Sequence, residues 1–310
     1  MGTFIKSMVN NGADMKCKKC NSNRLHKRGF SPDGKQRVKC VDCGKWGAYY
    51  NRGGAKILLF DIETTPMEVY VWGLIGNKYI QPNNIIKDWN VLSWSAKWLF
   101  DSKIMSDIQT PKEAMERDDE RIINSIWDLI DQADILIAHN GDRFDLKKLN
   151  TRFHMNGLYP PSPYRSIDTL KVVKKSFAFS SNKLDYLSQI MTNRNKLETN
   201  FKLWTDCLKG KREALKRMLS YNEEDVRLLE EVYVELRPWI KPHPNVNLHD
   251  DIEGCPSCGS DDLEPNGGYY TTITNKYLSY SCNECGSLSR KVESELTTYD
   301  RQILMRSIPK

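Results

Sequence analysis

The chain has 310 residues, of which 39% are hydrophobic and 28% are charged, and its formal net charge is +6. This composition is typical of a globular protein with a substantial core and argues against a disordered chain. The longest apolar runs are too short to cross a bilayer, and the N-terminus lacks the apolar stretch of a signal peptide. We therefore expect no membrane insertion and a cytoplasmic location, or the host-cell cytoplasm if the protein is viral.

Residues 1–14 are interpreted as an extension without an assigned function.

Charge is distributed unevenly along the chain. Residues 1–56 contain 13 Lys and Arg against 3 Asp, whereas residues 250–310 contain 6 basic and 10 acidic residues. A local basic excess of this kind favours a polyanionic partner at the N-terminal end.

Eight of the nine cysteines fall in Cys-x-x-Cys pairs, which form two groups of four. The first group is Cys17, Cys20, Cys40 and Cys43, and the second is Cys255, Cys258, Cys282 and Cys285. In a chain without an export signal, this spacing predicts two tetrahedral zinc sites rather than disulfides. Four thiolates close each site, so both zinc ions are expected to be structural. The remaining Cys207 is interpreted as a small buried hydrophobe.

The first cysteine group lies in an N-terminal ribbon, predicted at residues 15–52. Its sequence, CKKCNSNRLHKRGFSPDGKQRVKCVDCG, resembles the N-terminal zinc ribbon of insertion-sequence transposases. The candidates for phosphate contacts are Arg24, Lys27, Arg28, Lys35, Arg37 and Lys39. Trp46, Tyr49 and Tyr50 either stack on bases or form the ribbon's own core.

A central domain is predicted at residues 56–240. Strand patterns occur at 57–64, 69–75, 91–99 and 135–138, and an amphipathic helix is marked by Ile122, Ile123, Ile126, Trp127 and Ile130. Further helices are predicted at 144–155, 168–177, 183–191 and 211–236. This order indicates an α/β domain with a mixed sheet and flanking helices.

The first predicted strand, in KILLFDIETTP, ends in two acids. Asp61 and Glu63 share a face with Ile57 and Leu59, because strand residues two apart point to the same side. Open α/β sheets bind their ligands at this end of the strands. The alternative is that these acids cap the following turn.

Two later motifs place further acids in similar positions. In ILIAHNGDRFD a buried strand breaks before Asp145, which falls in the first turn of the next helix, where it also favours the helix dipole. In the long helix, Asn222 and Asp225 interrupt an apolar stripe. A buried carboxylate is costly unless it is paired or bound to metal. Tyr221 lies four residues before Asp225 and shares nearly the same helical face.

Four acids brought together would repel one another unless cations lay between them. Hard oxygen ligands suit Mg²⁺ or Mn²⁺. Two such ions about 3.5–4 Å apart stabilise the attacking and leaving oxygens of a phosphodiester. The pattern therefore indicates divalent magnesium or manganese at this site, beside the two zinc ions.

The motifs FDIET, HNGDRFD and YNEED, in this order, resemble the three exonuclease motifs of the DEDD superfamily, whose fold is ribonuclease H-like. The resemblance implies that Asp61, Glu63, Asp145 and Asp225 bind two metals, and that Tyr221 positions or helps deprotonate the attacking water. It also implies hydrolysis from the 3′ end. Ser220 stands where the histidine branch of the family has its histidine, so the Tyr branch is expected.

Three other polar residues near these motifs receive roles. Asn140, in the second motif, joins the candidates for nucleic-acid binding. His139 is interpreted as a strand-end structural residue, and Asp168 as the cap of a helix.

The expected function is a metal-dependent 3′-5′ exonuclease acting on DNA, either on single strands or on 3′ ends, free-standing or proofreading in trans. The same chemistry on RNA and a structure-selective endonuclease stay open. From another class, a non-catalytic replication scaffold that only grips nucleic acid also stays open.

A C-terminal ribbon is predicted at residues 250–295, after a linker with Pro238, Pro242 and Pro244, and is followed by a tail at 296–310. It is acidic and rich in tyrosine. Packing on the nuclease domain or contact with a replication protein is favoured at least as much as binding of single strands through Tyr269, Tyr270 or Tyr277.

Overall fold

A computed structural model describes residues 17, 19–20, 22, 25–30, 36–40, 42–49, 54–73, 79–194, 199–249 and 253–306. The predicted extension at 1–14 lies outside these residues. The chain divides into two compact units, residues 1–55 with 246–252 and residues 56–245 with 253–310. The domain boundaries expected from composition stay predictions.

The described part of the chain contains thirteen strands and eight α-helices. The strands are β1 (Leu25–Phe30), β2 (Gln36–Cys40), β3 (Trp46–Tyr49), β4 (Ile57–Thr64), β5 (Glu68–Val69), β6 (Ile85–Lys87), β7 (Val91–Trp98), β8 (Met105–Ile108), β9 (Ile135–Ala138), β10 (Arg165–Asp168), β11 (Leu263–Thr271), β12 (Lys276–Cys282) and β13 (Leu288–Arg290). The helices are α1 (Pro111–Glu116), α2 (Glu120–Ile130), α3 (Asp145–Met155), α4 (Thr169–Ser176), α5 (Leu184–Thr192), α6 (Phe201–Leu208), α7 (Arg212–Leu236) and α8 (Thr298–Gln302).

The central sheet has five strands in the order β10-β9-β4-β7-β8. Strand β4 pairs parallel with β9 and antiparallel with β7. Strands β9 and β10 are parallel, whereas β7 and β8 are antiparallel. The sheet is therefore mixed, with helices on its faces, and the predicted α/β class is confirmed.

Side-chain alternation in β4 gives its two faces different roles. Leu58, Phe60 and Ile62 pack in one core with residues of α2 and α3, such as Ile126 and Leu149. The intervening positions, including those of the acids, point to the other side of the sheet. Helix α7 packs against β4 and β7. The strand thus directs its apolar residues into one core and its carboxylates toward α7.

The strand predicted at 69–75 is wrong for the described residues after Val69. Strand β5 ends there, residues 70–73 are not in a strand, and residues 74–78 lie outside the described residues. Tyr70 and Trp72 fit the alternating pattern of a strand, yet both side chains are largely exposed. A local apolar pattern does not make a strand where no neighbouring strand or core covers it.

The C-terminal ribbon contains a three-stranded sheet in the order β11-β12-β13, and it belongs to the same compact unit as the central domain. The hydroxyl group of Tyr233, on α7, lies 2.9 Å from Nε2 of His243 in the linker. A β-carbon at Gly286 would lie 3.6 Å from Cγ of Pro238. The ribbon therefore packs close to the C-terminal end of α7.

No described helix combines the length and the apolar character that a bilayer-spanning helix needs.

Candidate active site

Three of the four predicted metal ligands converge where β4 faces α7. Asp61 and Glu63 extend from β4, and Asp225 extends from α7. One carboxylate oxygen from each residue lies within 4.8 Å of the oxygens of the other two. Asp225 is buried because it lies within the apolar stripe by which α7 packs on the sheet.

Asn222 connects this acidic cluster to the sheet. Its Nδ2 atom donates to Oδ2 of Asp61 at 2.6 Å, and its Oδ1 atom accepts from the hydroxyl group of Ser93, on β7, at 3.3 Å. The side chain is fully buried. An amide is unusual in the apolar stripe of α7, but no local pattern in the sequence indicates its contact with Asp61. The amide therefore fixes the orientation of one carboxylate of the cluster.

Asp145 lies beside the cluster rather than within it. The residue is the first of α3 and is almost completely buried. Its Oδ1 atom accepts from the backbone N–H of Ile62, between the two acids of β4, at 3.3 Å. Its carboxylate is not among the three whose oxygens lie within 4.8 Å of one another. Its expected role as a metal ligand stays a prediction.

Tyr221 lies one turn before Asp225 and is also buried. Its ring packs edge-on against Trp204, with 6.4 Å between centroids, in an apolar cluster that includes Leu92 and Met218. The ring is thereby fixed close to Asp225 along the helix. The role expected for its hydroxyl group stays a prediction.

The donor set of the cluster fits a divalent cation. Carboxylates at such close range repel one another when they are ionised, and a bound cation relieves this repulsion. All the donors are hard oxygen atoms, which suit Mg²⁺ or Mn²⁺ better than they suit zinc. The acidic triad therefore fits a site for a divalent cation.

The profile of the RNase H superfamily matches residues 58–237, which is more than half of the chain and includes all four acids. The chain belongs to the RNase H superfamily. For its central domain, here called the RNase H domain, this membership supports a nuclease activity in general and a nucleic acid as the substrate.

Two other comparisons add little to this assignment. No curated protein matches the chain significantly in sequence. Among solved structures, the chain is similar to the family B DNA polymerase from the hyperthermophilic archaeon Pyrobaculum calidifontis, with 17% identity and a TM-score of 0.44 over 69% of this chain. The chain spans 28% of the length of that polymerase. The nuclease assignment therefore rests on the superfamily match and on the acidic cluster.

The loop before Asp145 in the RNase H domain is fixed by its neighbours. Asn140 has a left-handed backbone, with φ of 67°, and its N–H donates to Oδ1 of Asp168 at 2.9 Å. Nε2 of His139 lies 2.9 Å from the carbonyl oxygen of Asn182, and Nδ1 lies 2.9 Å from the hydroxyl group of Thr169. These contacts support the structural interpretation of His139. The expected contact of Asn140 with nucleic acid stays a prediction.

Asp168 caps helix α4, as the sequence predicts. Its side chain accepts from the backbone N–H groups of Leu170, at 3.0 Å, and of Lys171, at 3.4 Å. Such a cap satisfies amide groups that have no partner within the helix.

The two cysteine groups have the geometry of zinc sites. In each group all four Sγ atoms lie within 4.8 Å of one another, with close pairs at 3.4 to 3.6 Å. A tetrahedron with Zn–S bonds of about 2.3 Å has edges of roughly 3.8 Å. Both groups therefore fit zinc.

The nucleic-acid candidates of the N-terminal ribbon are described only in part. Lys39 is exposed, and its Nζ atom lies 5.8 Å from the ring centroid of Trp46, which is half exposed. Arg24, Lys35 and Tyr50 lie outside the described residues. Lys27, Arg28, Arg37 and Tyr49 lie in strands β1 to β3, but their side chains are outside what the structure describes. The binding roles of these residues stay predictions.

The buried carboxyl group of Asp145 is expected to make the free energy of unfolding depend on pH. Burial raises the pKa of its carboxyl group from 3.8 to about 7, because the charged form is desolvated. The neutral form then stabilises the fold, and this contribution is lost as the pH rises through about 7. In zinc-loaded protein without added magnesium or manganese, we expect Asp145→Asn to become more stable relative to the wild type by about 3 kcal/mol between pH 5 and pH 9.

The free energy of unfolding, measured in urea by tryptophan fluorescence at both pH values, tests this expectation. Asp128→Asn, at an exposed position of α2, is the matched control and should follow the wild type. Parallel pH curves for Asp145→Asn and the wild type would show that the Asp145 carboxyl group is ionised to the same extent in the folded and unfolded chains.

Proposed function

We propose that the RNase H domain is a two-metal 3′-5′ exonuclease of the Tyr branch of the DEDD superfamily, and that it acts on DNA. The observation that carries this proposal is the approach of Asp61, Glu63 and Asp225 to within 4.8 Å, since these acids come from two separate motifs. Asp145 beside β4 and Tyr221 one turn before Asp225 support the same assignment.

Asp61, Glu63, Asp145 and Asp225 would hold two magnesium or manganese ions, and the two cysteine groups would hold zinc. The divalent ions, when bound, supply Lewis acidity to the phosphoryl group and make water a better nucleophile. Cleavage needs only the acidic site. Each cysteine site is closed by four thiolates and has no free coordination position for chemistry.

The chain's own residues position the reacting groups. Asn222 holds the Asp61 carboxylate in one orientation, and the N–H of Ile62 holds that of Asp145. The Tyr221 hydroxyl group is proposed to orient the attacking water. The water oxygen bonds to phosphorus, the bond from phosphorus to O3′ breaks, and the O3′ atom takes up a proton. The products are a nucleoside 5′-monophosphate and a strand shorter by one residue.

Each ribbon has a separate proposed role. The basic N-terminal ribbon is proposed to hold the polymer through phosphate contacts, which would weaken steeply with salt. The expected contact of a replication protein with the C-terminal ribbon stays a prediction.

The deciding experiment digests matched single-stranded DNA and RNA, labelled at the 5′ end or the 3′ end, with Mg²⁺, with Mn²⁺ and with neither ion. A metal-dependent ladder that shortens from the 3′ end is expected, and the better substrate names the sugar. Internal cuts would instead assign an endonuclease. Intact binding with no cleavage of any substrate would assign the scaffold function.

The role of Asn222 in orienting the Asp61 carboxylate can be tested through the metal affinity of the site. Replacing Asn222 by Leu keeps the approximate volume but removes the donor to Asp61. We expect Mn²⁺ affinity and kcat each to fall about 10- to 100-fold, the usual effect of losing a group that orients a metal ligand. Calorimetric titration with Mn²⁺ measures the first quantity independently of turnover.

The matched control for Asn222→Leu is Ser106→Ala. The Ser106 hydroxyl group donates to Glu223 at 2.7 Å and so also links α7 to the sheet, but through an acid outside the cluster. This variant should keep wild-type Mn²⁺ affinity. Unchanged affinity and turnover in Asn222→Leu would remove the orienting role of Asn222.

A further inference from the structure

Aromatic and basic side chains meet on one face of the C-terminal ribbon. Tyr270 on β11 lies directly opposite Tyr277 on β12, and Arg290 on β13 lies opposite Ser279. Opposite residues, and residues two apart on a strand, share a face of the sheet. The two tyrosine rings are 6.4 Å apart, and the Arg290 guanidinium carbon lies 3.9 Å from the Tyr277 ring centroid and 5.3 Å from that of Tyr270.

The other face of the same hairpin carries a second contact between a basic side chain and a tyrosine ring. The Nζ atom of Lys276 lies 3.8 Å from the ring centroid of Tyr269. Tyr269 and Tyr270 are each about half exposed to solvent. We call these five residues, Tyr269, Tyr270, Lys276, Tyr277 and Arg290, the tyrosine tip.

Residues 250–310 have an acidic net charge, but their acidic and basic residues lie at different ends of the ribbon. Four acids lie at the cysteine end, namely Asp261, Asp262, Glu264 and Glu284, where Glu264 pairs with Ser281 and Asn283 donates to Asp262. Strand β12 extends from Cys282 to Lys276, about 20 Å away.

The end of the ribbon away from the cysteines is basic. Lys276 lies there, and Arg306 donates to Thr274 at 3.3 Å. Arg290 and Lys291 lie opposite the middle of β12, and the Arg290 side chain reaches Tyr270 and Tyr277. Glu293 and Glu295 come close to this end, and Asp300 and Arg301 lie between Glu295 and Arg306 in the chain, so that basic residues outnumber acidic ones by five to three. The tyrosine tip therefore combines partly exposed rings with a local excess of positive charge.

We propose that the tyrosine tip binds single-stranded nucleic acid by stacking bases on its tyrosine rings and on the Arg290 guanidinium plane, with phosphates near Lys276 and Arg290. Each stacked base contributes about 1–3 kcal/mol, without sequence preference. Duplex ends and grooves offer few free base faces, so the tip selects single strands. This binding goes beyond the proposed nuclease activity and does not require cleavage.

The test measures binding of a fluorescent 12-nucleotide single strand, as DNA and as RNA, and of the matched DNA duplex. The protein is the full zinc-loaded chain carrying Asp61→Asn, without added magnesium or manganese, so that the ligand stays intact. Fluorescence anisotropy is recorded in about 0.3 M salt, where phosphate-dominated binding by the N-terminal ribbon is suppressed and stacking persists.

We expect the pair Tyr270→Ala and Tyr277→Ala to weaken single-strand binding at least about fivefold, which corresponds to one stacked base. Duplex binding should be unchanged. Tyr270→Phe with Tyr277→Phe should bind as the unsubstituted tip does, because stacking uses the ring and not the hydroxyl group. Zinc content shows that each variant ribbon is folded.

Tyr299→Ala, at an exposed tyrosine of α8 outside the tip, is the matched control and should have no effect. A smaller loss in the alanine pair, or an equal loss on duplex, would overturn the proposal and leave the tip as a surface for a protein. Since these measurements use no cleavage, failure of the proposed nuclease activity leaves their outcome unaffected.

Discussion

Asp61→Asn and Asp225→Asn are each expected to lower the rate of phosphodiester cleavage by at least about 1000-fold. Asparagine keeps the shape of the side chain but removes the charge that holds a divalent cation in the cluster. Loss of a metal ligand removes several kcal/mol of transition-state stabilisation, and about 4 kcal/mol corresponds to this factor. Single-turnover digestion of an end-labelled strand measures the rate.

Without divalent ions, binding of nucleic acid should survive both substitutions, because ionised carboxylates repel phosphates and contribute no attraction to the polymer. Glu224→Gln is the matched control. Glu224 is adjacent to Asp225 in sequence, but it pairs with Arg194 and lies outside the cluster. It should cleave within a few fold of the wild type. Full activity of Asp61→Asn would remove the acidic cluster from the mechanism.

Tyr221→Phe should be milder than either acid substitution. Phenylalanine keeps the ring that packs on Trp204 and loses only the hydroxyl group. A loss as large as that of Asp225→Asn would indicate that the hydroxyl group takes part in holding the metal site together.

Asp119→Ala is expected to lower the free energy of unfolding by about 3–5 kcal/mol. Asp119 precedes α2 and its side chain is completely buried. It pairs with Arg152 on α3, and its Oδ2 atom accepts from the N–H of Val91, at the start of β7, at 2.9 Å. Alanine would leave the guanidinium group of Arg152, whose side chain is only 13% exposed, without this carboxylate. Urea unfolding measures the loss.

A double-mutant cycle separates the ion pair from the rest of the effect. Asp119→Leu combined with Arg152→Met should be much less destabilising than the sum of the two single substitutions, because neither charge is then left alone. Glu116→Gln is the control. Its pair with Lys112 is mostly exposed, so its loss should cost at most about 1 kcal/mol. Additive effects in the cycle would contradict a buried pair.

Much of the RNase H domain is predictable because its signals are local. A continuous apolar run that ends in acids marks β4, and the 3.6-residue period marks α2 and α7, so the class of fold follows from these patterns. The acids stand out because each interrupts an apolar pattern or ends it. The spacing of the cysteines likewise predicts both groups of four from the sequence alone.

Local patterns are less reliable at exposed positions. The residues after β5 have the composition of a strand, but Trp72 there is fully exposed and the strand does not continue. The net charge of residues 250–310 likewise does not say where the charged residues lie in the fold. It indicates an acidic ribbon, while the fold places acids at one end and the tyrosine tip at the other.

The sequence by itself determined the identity of the acids, the cysteine groups and the elements that carry them, because residues close in the chain follow the short periods of strands and helices. Only the tertiary structure decided which partners meet. Asn222 bonds to Asp61 across 161 residues, and Asp145 bonds to Ile62 across 83. Such contacts depend on how α7 and α3 pack against β4, and packing is a property of the whole domain that no local pattern encodes.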